Sequence, residues 1–398
     1  MIRYLLRDEH FGGTLFDRKR LNHTFVSEED IISQRLTIND EKVEQFKHIS
    51  VSLKETSTHL LYAPIRLYFE LTRACNLRCK TCFNSSAKPL SDEMSTADVM
   101  RTIEGIASDS VLDIRFSGGE LTQRVDWTSI LARSLELGLG TSVNTSGVYE
   151  SQKTIYDLTS LGLDQVTISI DGSREFHDYI RGKGTFNRAL DTLAQLHSAN
   201  VPLRVDTVLT KGSATDMPKI LDAVAPFIEE INFFYMRFSG RALGIKSQAM
   251  SYEELHLFDQ TLERYKTQYP AVRILHGSRV MLDNSIAPEI STKRKLRMGG
   301  PDGFTRLNLL PNGDVWPGGY APHIAPEFFL GNIKKENYTI LPLWRDNPQL
   351  EQFRKYSLII QEKCSSCPEK SIRCPGASVE MELYRDHSED KHNPYCIY

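Results

Sequence analysis

Between residues 64 and 236 the chain alternates short apolar runs with longer amphipathic stretches. Segments 65–71, 111–117, 141–145, 165–170, 203–209 and 231–236 are brief, apolar and rich in Val, Ile and Phe. Strands buried in a parallel sheet have this character. Segments 96–108, 127–137 and 186–199 carry apolar residues at helical spacing, and Ser95 is a good N-cap for the first. Six β-α repeats of this kind predict an α/β fold, a partial (β/α)6 TIM-type barrel, with functional groups at the C-terminal ends of its strands. An open doubly wound sheet has the same alternation, and the pattern alone admits both.

Outside this region the pattern is weaker. Phe11-Gly12-Gly13-Thr14-Leu15-Phe16 reads as a small β element, and residues 28–56 as polar and partly helical. Residues 1–63 are therefore an N-terminal extension, a cap on the barrel or a peptide-docking element. Residues 251–269 predict one helix, followed by a strand around 272–275. Lys293, Arg294, Lys295 and Arg297 form a basic cluster, read as a solvated linker. Residues 304–318 predict a hairpin turning at Pro311-Asn312-Gly313-Asp314.

Composition narrows the class. The 398 residues are 40% hydrophobic and 25% charged, ordinary for a globular protein. A net charge of −3 gives no sign of a nucleic-acid surface. No apolar run approaches the roughly 18 residues that would span a membrane. The charged N-terminus, Met1-Ile2-Arg3-Tyr4-Leu5-Leu6-Arg7-Asp8, is unlike a secretory signal. The expected location is cytoplasmic.

Cysteine placement carries the chemistry. Cys75, Cys79 and Cys82 stand as C-x3-C-x2-C, and Cys364, Cys367, Cys374 and Cys396 lie in the last 35 residues. Seven is odd, which argues against a pure disulfide framework. Three thiolates on one tight loop suit an iron–sulfur cluster with one iron left open to another ligand. A zinc site is the bland alternative, but zinc usually takes four ligands. Four thiolates near the C-terminus complete either a 4Fe–4S cluster or a zinc site.

The loop and its setting resemble the radical S-adenosylmethionine (radical SAM) enzymes, whose C-x3-C-x2-C loop follows the first barrel strand and ends in an aromatic, here Phe83. The resemblance implies a 4Fe–4S cluster on Cys75, Cys79 and Cys82. It places Gly118, Gly119 and Glu120 at the methionyl amino group of SAM, and Asn144 near its ribose or methionyl part. It also implies contacts from Ser169 and Arg181, the arginine pairing with the SAM carboxylate. A planar guanidinium suits that pairing, since it grips a carboxylate through two parallel hydrogen bonds. Asn144 and the neighbouring Asp171 also fit turn chemistry at strand ends. Reductive cleavage of SAM would yield a 5′-deoxyadenosyl radical, with a flavodoxin or ferredoxin-type protein as reductant.

The C-terminal region resembles the SPASM extension of radical SAM peptide maturases in its cysteines, in Asn312-Gly313-Asp314-Val315-Trp316-Pro317 and in Leu330-Gly331-Asn332-Ile333. Departures are specific. No cysteine occurs in residues 298–303, Gly318 and Ser378 stand where two others are expected, and six residues separate Cys367 from Cys374 where five are expected. The resemblance thus implies a reduced, twitch-like domain with one auxiliary 4Fe–4S cluster on Cys364, Cys367, Cys374 and Cys396. Gly319 occupies the position of the aspartate base of sulfatase-maturing relatives, which excludes that activity.

The division expected is an extension at 1–63, a radical SAM barrel at 64–245, a helical linker at 246–296 and an auxiliary-cluster domain at 297–398. The function implied is oxidative crosslinking or dehydrogenation of a ribosomally synthesised peptide. Dehydrogenation of a sugar or aminocyclitol is the alternative, and a non-catalytic iron–sulfur or zinc scaffold a remote one. Tyr235, Arg237, Tyr320 and His323 are candidate pocket residues.

Overall fold

The computed structural model describes residues 2–53, 61–149, 151–276, 301–368 and 379–396 apart from 390, 392 and 394. The basic cluster at 293–297, Cys374 and Ser378 lie outside the described residues.

Three antiparallel strands open the chain: β1 (Tyr4–Glu9), β2 (Gly12–Asp17) and β3 (Asn22–Ser27). Helix α1 (Glu28–Ile32) follows, capped by the Ser27 side chain on the Asp30 amide. Two-residue strands β4 (Thr37–Ile38) and β5 (Glu41–Lys42) pair with each other. Strand β6 (Lys47–Ile49) then joins β1 in parallel, giving the sheet order β3-β2-β1-β6. The segment expected to be partly helical thus holds one short helix, and its remaining regular structure is strand.

The barrel strands are β7 (Arg66–Glu70), β8 (Asp113–Ser117), β9 (Gly140–Thr145), β10 (Gln165–Ser169), β11 (Leu203–Leu209) and β12 (Glu230–Tyr235). The connecting helices are α2 (Thr96–Ser108), α3 (Trp127–Glu136), α4 (Gln152–Ser160), α5 (Arg174–Arg181), α6 (Thr185–Ser198) and α7 (Lys211–Val224). Ser95 closes a full capping box with Asp98 at the start of α2. Helix α8 (Tyr252–Gln268) leads into β13 (Arg273–His276), and β14 (Arg306–Leu309) and β15 (Asp314–Trp316) form the expected hairpin. Strand β16 (Gly331–Asn332) pairs with β15, so the two C-terminal motif segments meet as neighbours.

The sheet order is β13-β12-β11-β10-β9-β8-β7-β14-β15-β16, parallel from β13 through β14. The six expected strands are present, and β13 and β14 extend them by one on each side. Both were expected as strands, around 272–275 and within the 304–318 hairpin, but not as edges of the barrel sheet.

Strand periodicity builds a polar lumen. Leu67, Phe69, Ile114, Phe116, Val205 and Leu307 are fully buried in the apolar core. Their alternates Arg66, Tyr68, Arg115, Arg204 and Arg306 line an interior cavity of about 960 Å³. Successive strand residues point to opposite faces, so one face packs against helices while the other encloses a chamber.

The N-terminal sheet closes the bottom of this chamber. Arg7 is fully buried and donates to the carbonyls of Ala63, Pro64 and Ser110, which precede β7 and β8. Arg18 donates to the carbonyls of Gly138 and Leu139, ahead of β9, and to Asp164, ahead of β10. At the other end, Tyr395 stacks on Tyr235 at 4.2 Å and donates to the Met236 carbonyl. Among the described residues no helix is long and apolar enough to cross a membrane.

Candidate active site

The three-cysteine loop follows β7 and rests on the turn after β8. The amides of Gly119 and Glu120 donate to the carbonyls of Thr72 (2.7 Å) and Ala74 (2.8 Å). A Cβ on Gly118 would stand 2.5 Å from the Thr72 carbonyl oxygen, and φ is +144° there, a conformation that favours glycine. A Cβ on Gly119 would collide with the Ala74 carbonyl. The paired glycines are therefore required first by the cysteine loop itself.

Two further residues, invisible to sequence reading, hold the loop. Glu93 accepts from the amides of Arg73 (2.7 Å) and Leu90 (3.0 Å) and from the Thr72 hydroxyl. Arg241 donates to the carbonyls of Cys79 (2.8 Å) and Ser86 (3.1 Å), and its amide donates to Cys82. Neither lies in a recognisable motif, because the contacts bridge distant stretches of chain.

One cavity brings together Cys75, Cys79, Cys82, Phe83, Gly118, Gly119, Asn144, Ser169 and Arg181. Burial lifts the Cys75 thiol to about 11, against the pull of a 3.4 Å hydrogen bond from the Leu77 amide. Burial raises Cys79 too, against the opposing charges of Arg181 and Arg241. At Cys75 and Cys79 burial disfavours the thiolate, so the charge of a bound metal cluster suits these positions. Among the described residues, no three His, Cys, Asp or Glu side chains converge tightly enough to hold a single ion.

Arg181 donates through Nε to Asp171 at 2.7 Å, leaving Nη1 and Nη2 unengaged among the described residues. Asp171 is anchored in turn by the Val208 amide at 3.0 Å. The Asp171 amide donates to Nδ1 of buried His177, which burial holds neutral, with its pKa down to about 4. Asn144 Oδ1 is buried with no hydrogen-bond partner among the described residues, as a group awaiting a ligand would be.

Glu120 is placed differently from the other expected contacts. Its carboxylate is buried, lies off the cavity wall, and accepts from the Thr145 hydroxyl (2.9 Å) and from the Ser146 amide (2.9 Å) and hydroxyl (2.8 Å). It ties the end of β8 to the end of β9.

Tyr235 and Arg237 line the cavity, whereas Tyr320 and His323 pack edge-on against Phe83 at 6.3 and 5.6 Å. Arg237 pairs with Glu380 at 2.9 Å. Among the C-terminal cysteines, Cys364 ends the helix Pro348–Ser365, and the Cys367 amide donates to the Cys364 carbonyl. The Cys396 amide donates to Asn393, on the segment that packs against β12. At Gly318 a Cβ would stand 2.8 Å from the carboxyl carbon of Asp302, which pairs with Arg306. An ion pair occupies the space that a cysteine there would need.

A parallel barrel with a three-thiol loop above a polar chamber defines a class of cluster-dependent enzyme. Residues 69–223 match the Radical SAM superfamily. A 4Fe–4S cluster and SAM are what that match implies. The chain is 29% identical over 356 residues to the AdoMet-dependent heme synthase of Methanosarcina barkeri, covering 84% of this chain and 97% of that protein. It is 29% identical over 321 residues to the PqqA peptide cyclase of Methylocella silvestris, covering 80% and 83%. It is 26% identical over 349 residues to the mycofactocin maturase MftC of Mycolicibacterium smegmatis, covering 85% and 83%. The fold is that of Streptococcus suis SuiB, solved with its precursor peptide SuiA, with a TM-score of 0.73, 18% identity and 95% of each chain covered.

Proposed function

We propose that this chain is a radical SAM enzyme that crosslinks or dehydrogenates a ribosomally synthesised peptide. The observation that carries the reading is the convergence of the three loop thiols, the paired glycines, Asn144, Ser169 and Arg181 on one cavity that continues into the barrel lumen. The peptide class is supported by the PqqA peptide cyclase and by MftC.

In this reading Cys75, Cys79 and Cys82 hold the cluster. Together with SAM it supplies a carbon-centred radical able to take hydrogen from an unactivated carbon. Arg181, pre-set by Asp171, holds the SAM carboxylate with its two remaining Nη groups. Gly118 and Gly119 let the ligand approach the backbone, and Asn144 and Ser169 fix its orientation. Phe83, backed by Tyr320 and His323, closes the side of the loop against water. Cys364, Cys367, Cys374 and Cys396 would hold an auxiliary 4Fe–4S cluster, which would supply an acceptor for the electron of the substrate radical, and a flavodoxin or ferredoxin would be the external reductant. Residues 1–63, 64–245, 246–296 and 297–398 serve as extension, barrel, linker and auxiliary-cluster domain.

Anaerobic reconstitution followed by SAM and dithionite tests the reading. The wild type should release 5′-deoxyadenosine, and Cys75→Ala should release none. A short peptide encoded beside the gene should lose the mass of hydrogen in the same mixture. A wild type no better than Cys75→Ala would overturn the enzymatic assignment.

A further inference from the structure

The floor of the lumen is built from arginine. Arg66, Arg204 and Arg306 have carboxylate partners there: Arg66 pairs with Asp113, Arg204 with Asp206 (2.6 Å) and Glu230 (3.1 Å), and Arg306 with Asp302 (2.5 Å). Arg115 does not. It is 3% exposed, and its contacts are long and to uncharged or phenolic groups. These are Ser142 Oγ at 3.3 Å, Gln165 Oε1 at 3.4 Å and the Tyr68 hydroxyl at 3.5 Å. Arg115 has no carboxylate within ion-pair distance, and the Tyr68 phenol, which the surrounding arginines make more acidic, offsets its charge only in part, so a carboxylate arriving from outside would complete its pairing.

The neighbourhood is set for an anion. The Tyr68 ring has Arg115 at 5.6 Å and Arg306 at 5.2 Å from its centre. The site is separate from the SAM end. Arg115 reaches Gln165, the first residue of β10, whereas Ser169 and the cysteine loop stand at the C-terminal ends of the strands. Arg66 donates to the carbonyl of Leu21, in the turn between β2 and β3 of the N-terminal sheet, which marks this level as the bottom.

We propose that Arg115, with Tyr68 beside it, is a receptor for a carboxylate of the substrate, so that an acidic residue of the peptide descends through the lumen to its floor. This rests on the lumen being the substrate chamber of the enzyme proposed above, and it names the charge of the group that enters. Anchoring a remote carboxylate at the floor would fix the register of the peptide, so that one carbon halts beside the SAM end.

The test is a calorimetric titration of the reconstituted, SAM-loaded protein. Three probes are used: N-acetylglutamate α-amide for a side-chain carboxylate, N-acetylglycine for a chain-terminal one, and N-acetylglutamine α-amide as the neutral isostere. Arg115→Met removes the charge and keeps the length. At least one carboxylate probe should bind the wild type, and the stronger of the two identifies the source. Its affinity should fall roughly ten- to a hundredfold in Arg115→Met, the worth of a charge-assisted hydrogen bond. The variant should still fold, with a single melting transition, so that a fall in affinity reports the lost charge. Equal binding of the glutamine probe, undiminished binding to Arg115→Met, or a variant that fails to fold would each overturn the proposal. Absence of 5′-deoxyadenosine from the wild type would sink the enzymatic reading alone; the titration judges the carboxylate site in either case.

Discussion

A methyl group on Gly119 would strike the carbonyl oxygen of Ala74, the residue before the first cluster cysteine. Gly119→Ala should therefore push the cysteine loop off its turn. The expected cost is about 1–3 kcal/mol, the range for overpacking, with a matching fall in bound iron. Denaturant unfolding and iron content check this, and full iron loading would contradict it. Tyr68 makes a second prediction. Burial opposes its ionisation, but Arg115, Arg306, Arg66 and Arg204 together outweigh burial and bring the phenol down to about 7. Its remaining exposed surface faces the lumen, so bulk water screens these charges little. In the unfolded chain the phenol ionises near 10. Between those values the unfolded state holds the extra proton, so stability from Tyr68 grows as pH rises and is lost as pH falls through about 7. The Tm gap between wild type and Tyr68→Phe should widen from about pH 6 to about pH 9; a constant gap would count against it.

At the scale of elements, the N-terminal sheet is bound to the barrel by buried charge as well as by apolar contact. Arg7 pairs with Glu9 at 2.7 Å, and both side chains are fully buried. Arg7→Met would leave the Glu9 carboxylate uncompensated and three barrel carbonyls without a donor. A loss of about 3–5 kcal/mol follows, with faster amide exchange confined at first to β1 and to residues 61–64. A loss below ~1 kcal/mol would show that apolar packing alone holds the plug. The elements themselves were largely legible. The six expected strands appear within two residues of their predicted limits, because each is a short apolar run bounded by polar turns. The parallel pairing of β14 with β7 was not, because a hairpin signal specifies the partner across its turn and says nothing of the other edge.

For the whole molecule, the number of clusters is the sharpest prediction. Two four-iron sites require about eight irons per chain. Cys364→Ala should retain about four and still cleave SAM, and Cys75→Ala should retain about four and cleave none. A wild type holding about four irons and one zinc would assign the C-terminal cysteines to zinc instead. The Gly318 position fits the loss of a first auxiliary cluster, since the Asp302–Arg306 pair fills its place.

The chain's linear order was enough to specify the β-α rhythm, the three-cysteine loop and the residues gathered at that end of the cavity. Those features depend on spacing within short segments, where local geometry follows from residue type. Only the tertiary structure decided that Glu120 turns away from the cavity, that Glu93 and Arg241 brace the loop, and that arginines from four strands meet on one floor where Arg115 alone lacks a carboxylate partner. Charge balance in a buried chamber is a sum over strands distant in sequence, and no local pattern carries that sum.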